Sequence, residues 1–400
     1  MQKRHKMKKV LIFVTRYLAY ASNIVFAHEC RVAFTQLGID VEICDIMNEE
    51  DAEQILLSYV GKKYDAVIDF NSVLPRVMAD KEHFIDMIDA PFFDYIVDHP
   101  LYHDPILKQP VKNLNVICID RDHADYVRKY YPHIKRVSFL PVPVGLHSSL
   151  MPFERRRDTL LFTGSYYPPE KFEKIMDELP EEVGGLCRSM AEILIAENEN
   201  NIVCSPENAF DRALTDSGKT ADELLSYISP DDCYIDNITT YRTLLNKCFV
   251  ADIYARAVLR RQSVYKAADT GVDILLCGNE WDLSGLCDRE NIEWIKDVDY
   301  REVSGLISSC KAILNILPGF TNGIHDRVTM GMMTGTAVIT NSNKYIDEFF
   351  AEGEDYLNLS HITDDNTILE RIAYHGFQTA GKMFSREAFA EKLVKAMGML

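Results

Sequence analysis

The sequence predicts an α/β chain made of two parallel-sheet halves, and three observations carry that reading. Strand-like apolar runs alternate with helix-like segments over residues 8–145, which is the pattern of a parallel sheet with crossover helices. A polar and basic break, SSLMPFERRRD at 148–158, then interrupts the pattern. Alternation resumes at VDILLCGN and runs on to DYLNLS, after a stretch of helical periodicity over 168–268.

Within the first half, KKVLIFVTRY opens the sheet, a helix is expected over 23–37, DVEICDI follows, and a second helix is expected over 51–59. YDAVIDFN, PFFDYIVDHP, NLNVICID and RVSFLPVPVG continue it as near-unbroken apolar runs, as expected of strands covered on both faces. This is a Rossmann-like domain, placed at 1–150. In such open sheets ligands sit beyond the carboxyl ends of the strands. That rule singles out Thr15 and Arg16, the stretch from Asp69 to Ser72, the stretch from Asp98 to His103, and the stretch from Pro141 to Gly145.

The second half is placed at 151–380. It opens on the strand DTLLFTGS, is interrupted by a helical insertion at 168–268, and resumes with VDILLCGN, IEWIKDV, KAILNILP, TAVITNS and DYLNLS as strands. Met190, Ile193 and Leu194 show the helical spacing, as do Leu224, Leu225 and Ile228. The segment at 381–400 is read as a closing helix that crosses back onto the first domain.

Composition narrows the function classes. At 400 residues the chain is long enough for two domains of roughly 100–200 residues each. A formal charge of −18 argues against general affinity for nucleic acid, because phosphates are repelled by an acidic surface. No run approaches the ~18 apolar residues of a membrane span, and Val10 to Val14 is shorter than the ~7–15 residues of a secretory core. The 10 cysteines are scattered singly with no C-x-x-C pair, which points to a reduced, cytoplasmic compartment.

One turn stands out chemically. PGFTNG feeds a helix that carries His325 and Arg327 in its first turn. A helix N-terminus offers unpaired N–H groups and partial positive charge, and arginine is shaped to bind phosphate oxygens in pairs. Two D-x-D spellings, at Asp120 to Asp122 and Asp297 to Asp299, read as helix caps or turns rather than metal ligands. Trp281 and Trp294 read as core residues rather than sugar-stacking platforms.

The segment KAILNILPGFTNGIHDRVTMGMMTGTAVITNSNKYIDEFFAEGEDYLNL resembles the C-terminal domain of CgeB-like glycosyltransferases of the GT-B fold. The matching features are Asn315 at a strand end, Gly323-x-His325-x-Arg327 opening a helix, Gly335 ending it, Thr340 closing the next strand, and Phe349, Gly353 and Glu354 beyond. FTGS and LLCGNEW agree more weakly. The resemblance implies two Rossmann-like domains facing a cleft, with the helical insertion in the second, and transfer of a sugar from a nucleotide diphosphate to an unknown acceptor without metal or cofactor. A non-catalytic nucleotide- or sugar-binding scaffold is the alternative. It implies donor binding by Gly164, Ser165, Gly278, Asn279, Asn315, Thr321, Asn322, Gly323, His325, Asp326 and Arg327. On the acceptor side stand Arg16, Asp69 and Asn71, with Asp98 and His99 as candidates for the general base of an inverting reaction and His103 and Asp104 as nearby alternatives.

One position departs from the family pattern. The residue three past the arginine is commonly a glutamate that holds the ribose, and here it is Met330; its partner position in the E-x7-E pattern is Asn322. Either Asp326 substitutes, or the nucleotide sits differently, or donor binding is weak. Met330→Glu is expected to strengthen nucleotide binding or leave it unchanged.

Overall fold

A computed structural model describes residues 8–15, 20–144, 150–200, 202–230 and 236–399. Arg16 lies outside the described residues. Two compact units are formed by the described parts of 1–145, 299–301 and 381–400, and of 146–298 and 302–380.

In the first unit the chain runs β1 (Lys9–Val14), α1 (Ser22–Gln36), β2 (Asp40–Asp45), α2 (Ala52–Leu57) and β3 (Ala66–Phe70). A small antiparallel hairpin of β4 (Met78–Ala79) and β5 (Glu82–His83) follows. Then come β6 (Phe92–Ile96), α3 (Asp104–Leu107), β7 (Leu114–Cys118), α4 (Arg121–Tyr130) and β8 (Val137–Phe139). The six-stranded sheet has the order β2-β1-β3-β6-β7-β8 and is parallel throughout. Val10 to Phe13, Ile68, Tyr95 and Val116 are fully buried, which explains why these strands read as apolar runs.

The second unit begins with β9 (Arg157–Thr163). Among the described residues six α-helices follow before the next strand: α5 (Pro169–Asp177), α6 (Glu181–Glu199), α7 (Pro206–Ser217), α8 (Ala221–Ser226), α9 (Asn237–Lys247) and α10 (Phe249–Asp269). The sheet resumes with β10 (Ile274–Cys277) and β11 (Ile292–Ile295). After α11 (Tyr300–Ser309) come β12 (Cys310–Leu314), α12 (Asp326–Met333), β13 (Ala337–Ile339), α13 (Lys344–Phe349) and α14 (Asn366–Phe384). Strand order is β11-β10-β9-β12-β13, again all parallel. Phe162, Leu276, Trp281, Leu314, Ile339 and Ile372 centre its core.

DYLNLS does not form the expected strand. It makes only isolated bridges, Leu357 to Ile339 and Tyr356 to Glu352, because the backbone leading into it is a turn, in which Asp355 N–H donates to Ala351 O and Gly353 N–H to Tyr356 O, both at 2.8 Å. The last helix, α15 (Arg386–Ala396), belongs to the first unit. There Arg386 pairs with the buried Glu29 of α1 at 3.1 Å, and Ser138 Oγ donates to Ala396 O at 2.7 Å.

In the second unit the chain steps outward from β9 through β10 to β11, then returns to the other side of β9 with β12 and β13. The reversal between β9 and β12 is the switch point at which an open parallel sheet leaves a crevice at its carboxyl edge.

Candidate functional site

At that edge β9 ends in Thr163, Gly164 and Ser165, and their three successive carbonyls accept from three different side chains. Arg327 Nη1 donates to Thr163 O, Trp281 Nε1 to Gly164 O at 2.8 Å, and Arg260 Nη1 to Ser165 O. Arg327 comes from α12, across the switch point, whereas Arg260 comes from α10. A Cβ placed on Gly164 would lie 3.4 Å from Arg327 Nη1 and 3.8 Å from Arg260 Cζ, so both guanidinium groups converge on this one glycine. Two guanidinium groups this close to one backbone position favour an anion beside them.

The end of β10 is interlocked with the end of β9. Gly278 has φ +142°, and a Cβ there would stand 2.6 Å from Gly164 C and O. Only glycine fits. Asn279 N–H donates to Ser165 Oγ at 3.2 Å, Tyr166 N–H to Asn279 O at 2.9 Å, and Trp294 Nε1 to Gly278 O at 2.7 Å. Trp281 is a fully buried core residue, as its sequence setting suggested, and each indole also fixes one glycine carbonyl.

The PGFTNG turn is held from beneath by two asparagines that follow β13. Asn341 Oδ1 accepts from Leu317 N–H at 2.8 Å, and Asn343 Nδ2 donates to Phe320 O at 2.7 Å and Gly323 O at 2.9 Å. Thr321 is buried, and its carbonyl accepts from Lys344 N–H. Gly319 has φ +76°, and a Cβ there would meet Arg256 Nη2 at 2.8 Å. Arg256 sits one turn before Arg260 on α10 and pairs with Asp252 at 2.8 Å. Asn315, fully buried at the end of β12, donates to Thr340 Oγ1 at 3.1 Å.

The first turn of α12 differs from the sequence expectation. Two of its amides are engaged within the chain: Arg327 N–H donates to Asp326 Oδ1 at 2.9 Å, with His325 Nδ1 3.3 Å away, and Val328 N–H donates to His325 O at 3.0 Å. His325 is therefore an N-cap, and the cationic character of the site comes from side chains. Both ring nitrogens of His325 face Arg327, with Nδ1 3.2 Å from Nε and Nε2 3.0 Å from Nη2. Nδ1 also contacts Asp326 Oδ1. Burial, then the charge of Arg327, hold the imidazole below the ordinary histidine range; Asp326 opposes this and Arg260 adds to it.

Three buried polar atoms at this carboxyl edge have no hydrogen-bond partner among the described residues: Thr163 Oγ1, Asn315 Oδ1 and Asn341 Nδ2. Thr163 closes β9, and Asn315 and Asn341 follow β12 and β13, three neighbouring strands. Buried polar groups are nearly always paired, so such a cluster marks an edge suited to a polar guest. Met330, in contrast, is 2% exposed on the core side of α12.

Residues singled out in the first unit are arranged around a strained turn. Asn71 and Ser72 have φ 54° and 56°, a left-handed pair outside glycine. Asp94, fully buried, accepts from Ser72 N–H at 2.8 Å and from Ser72 Oγ. Asp69, also fully buried, accepts from Leu74 N–H at 2.7 Å and Thr15 Oγ1 at 3.1 Å. Both of its oxygens thus help to hold the turn. Burial, with the charge of Asp94 adding to it, pushes the Asp69 carboxyl up to about 7, and burial pushes Asp94 up to about 6.

Asn71 Nδ2 donates to Asp98 Oδ2 at 2.7 Å, while its Oδ1 accepts from Val97 N–H at 2.8 Å. Asp98 is exposed. Its neighbour His99 is 1% exposed, its Nδ1 accepts from Leu101 N–H at 3.1 Å, and its ring lies 4.4 Å from that of His123. Burial separates the two residues: Asp98 presents a carboxylate to solvent, and His99 caps a short turn. Asp120 likewise caps α4, accepting from Asp122 N–H at 2.7 Å, and Asp299 holds Arg301 at 2.7 Å. No group of three or more metal-ligating side chains occurs among the described residues. No described helix is long and apolar enough to cross a membrane.

Sequence reasoning missed Arg260 and Arg256, whose four-residue spacing in RAVLRR was the available signal. It also missed Asn341 and Asn343.

Residues 257–377, which include Arg260, both tryptophans and α12, match the model of a family described as glycosyl transferase-like. No curated protein matches the chain. Among solved structures, T4 phage BGT in complex with its UDP-glucose substrate is similar at TM-score 0.50 and 11% identity, over 98% of this chain and 99% of that one. Sucrose-phosphate synthase from Thermosynechococcus elongatus is similar at TM-score 0.50 and 10% identity, over 98% of each chain. The chain has the GT-B glycosyltransferase fold, with a glycosyl transferase-like segment at 257–377.

Proposed function

We propose that this chain is a glycosyltransferase of the CgeB-like kind that takes a nucleoside-diphosphate sugar as donor. The observation that carries the reading is the convergence of Arg260 and Arg327 on Gly164, each anchored to a carbonyl of the β9 terminus. A diphosphate is an anion that both guanidinium groups can hold. As the bond between the sugar's anomeric carbon and the phosphate oxygen breaks, its electron pair passes to the diphosphate, and the guanidinium pair stabilises that charge. In this reading no metal or cofactor is required.

In an inverting transfer the acceptor hydroxyl oxygen bonds to the anomeric carbon as its proton passes to a carboxylate. Asp98, exposed and held through one oxygen by Asn71, is the residue assigned to that step. The UDP-glucose complex of T4 phage BGT makes UDP-glucose the first donor to test. Purified protein incubated with UDP-glucose is expected to release UDP slowly by transfer to water. Asp98→Asn is expected to reduce that release by about 100-fold or more. A second reading, a binding protein without turnover, is motivated by Met330 and Asn322 in the positions of the E-x7-E pair. Tight UDP-glucose binding with no UDP release would favour it.

A further inference from the structure

We infer that His325 takes up a proton when the diphosphate of the donor binds, and then donates it as a hydrogen bond to a phosphate oxygen. The inference rests on the donor reading above and adds a proton-coupled ligand to it.

The geometry sets the starting state. In the structure the imidazole is a hydrogen-bond acceptor for Arg327, whose Nη2 lies 3.0 Å from Nε2 and whose Nε lies 3.2 Å from Nδ1. A neutral imidazole can accept at one ring nitrogen only, because the other carries hydrogen. One of the two contacts is therefore donor against donor. Phosphate oxygens are stronger acceptors for a guanidinium than imidazole is, and bind it in pairs. With the ring hydrogen on Nδ1, toward Asp326 Oδ1, Nε2 is the acceptor for Arg327 Nη2; a diphosphate arriving at Gly164 draws the guanidinium donors of Arg327 to itself and frees Nε2 for a proton.

Electrostatics act in the same direction. The charged groups that face the ring are Arg327 and Asp326 from α12 and Arg260 from α10. From the turn before the helix, the uncharged Phe320 ring packs edge-on at 5.5 Å. Both arginines disfavour imidazolium, and both are the groups that the diphosphate neutralises. Asp326 favours imidazolium and remains in contact with Nδ1. Binding thus removes the opposing charges and keeps the supporting one. The proton comes from solvent and stays on the ring, so the added N–H meets the charge that develops on the leaving nucleotide.

The test is calorimetry of UDP-glucose binding to the full chain near pH 7 in two buffers of different ionisation enthalpy. UDP-glucose is chosen because its diphosphate has no free terminal phosphate to titrate near neutral pH. The expected result is a heat that depends on the buffer, reporting net proton uptake, with affinity falling about threefold or more per pH unit above neutrality. His325→Asn, which keeps an N-cap for Arg327 N–H, is expected to bind UDP-glucose with buffer-independent heat and no such slope. Equal heats in the two buffers for the wild type would overturn the inference while leaving the donor reading intact, as would uptake that persists in His325→Asn. Absence of any UDP-glucose binding by the wild type would count against both.

Discussion

Trp281 donates its indole N–H to the carbonyl of Gly164 at 2.8 Å, between two carbonyls that hold Arg327 and Arg260. A core tryptophan therefore sets the orientation of the peptide on which two cations rest. Structural and ligand-binding roles meet in one strand terminus, and this makes substitutions there informative.

Gly278→Ala is expected to destabilise the protein by about 2–4 kcal/mol, since its Cβ would stand 2.6 Å from the Gly164 backbone at a φ that side chains rarely adopt. Gly38→Ala is the control: φ there is +71° with nothing within 4 Å, so about 1 kcal/mol is expected. Denaturant unfolding of both variants checks this, and equal losses would show that the interlock of β9 and β10 is not tight.

Met330→Glu is now expected to be harmful. The side chain is 2% exposed, so an added carboxylate would be buried or would force α12 to move. A loss of about 3 kcal/mol or more is expected from thermal or denaturant unfolding. Unchanged stability together with tighter UDP binding would restore the sequence-based expectation that this position faces the nucleotide.

The buried pair Asp69 and Asp94 predicts a pH dependence of stability. Both carboxyls titrate higher in the folded protein than in the unfolded chain, at about 7 and about 6. The folded state therefore binds more protons between about pH 4 and 7, and the stability this contributes is present at the low end and lost as pH rises through those values. Asp94→Asn can still accept from Ser72 N–H and donate to Ser72 Oγ, and removes one titration directly. The variant's unfolding free energy should fall less steeply with rising pH across this window than the wild type's. Parallel pH profiles would mean that the pair is already ionised throughout.

Much of this fold was legible because parallel strands buried on both faces leave continuous apolar runs, as in Leu11 to Phe13 and Leu160 to Phe162. DYLNLS alternates apolar and polar residues as a strand does, yet forms only bridges, because a backbone turn over Ala351 to Tyr356 takes up the groups a ladder would use. At the site, the Gly323-x-His325-x-Arg327 motif located Arg327. It gave no warning that His325 and Asp326 would engage two amides of the helix start. Arg260 reaches Ser165 across 95 positions of sequence, and a helix with no named motif offers no local sign of such a contact. Burial likewise distinguishes exposed Asp98 from buried His99, two neighbours that sequence alone offered for the same role.

Binding of UDP and of uridine to the wild type and to Arg327→Ala tests the account most directly. If Arg327 and Arg260 form a diphosphate site, Arg327→Ala weakens UDP at least about tenfold more than it weakens uridine, because only UDP carries the groups a guanidinium holds. An equal loss for both ligands, or none for either, would contradict the assignment.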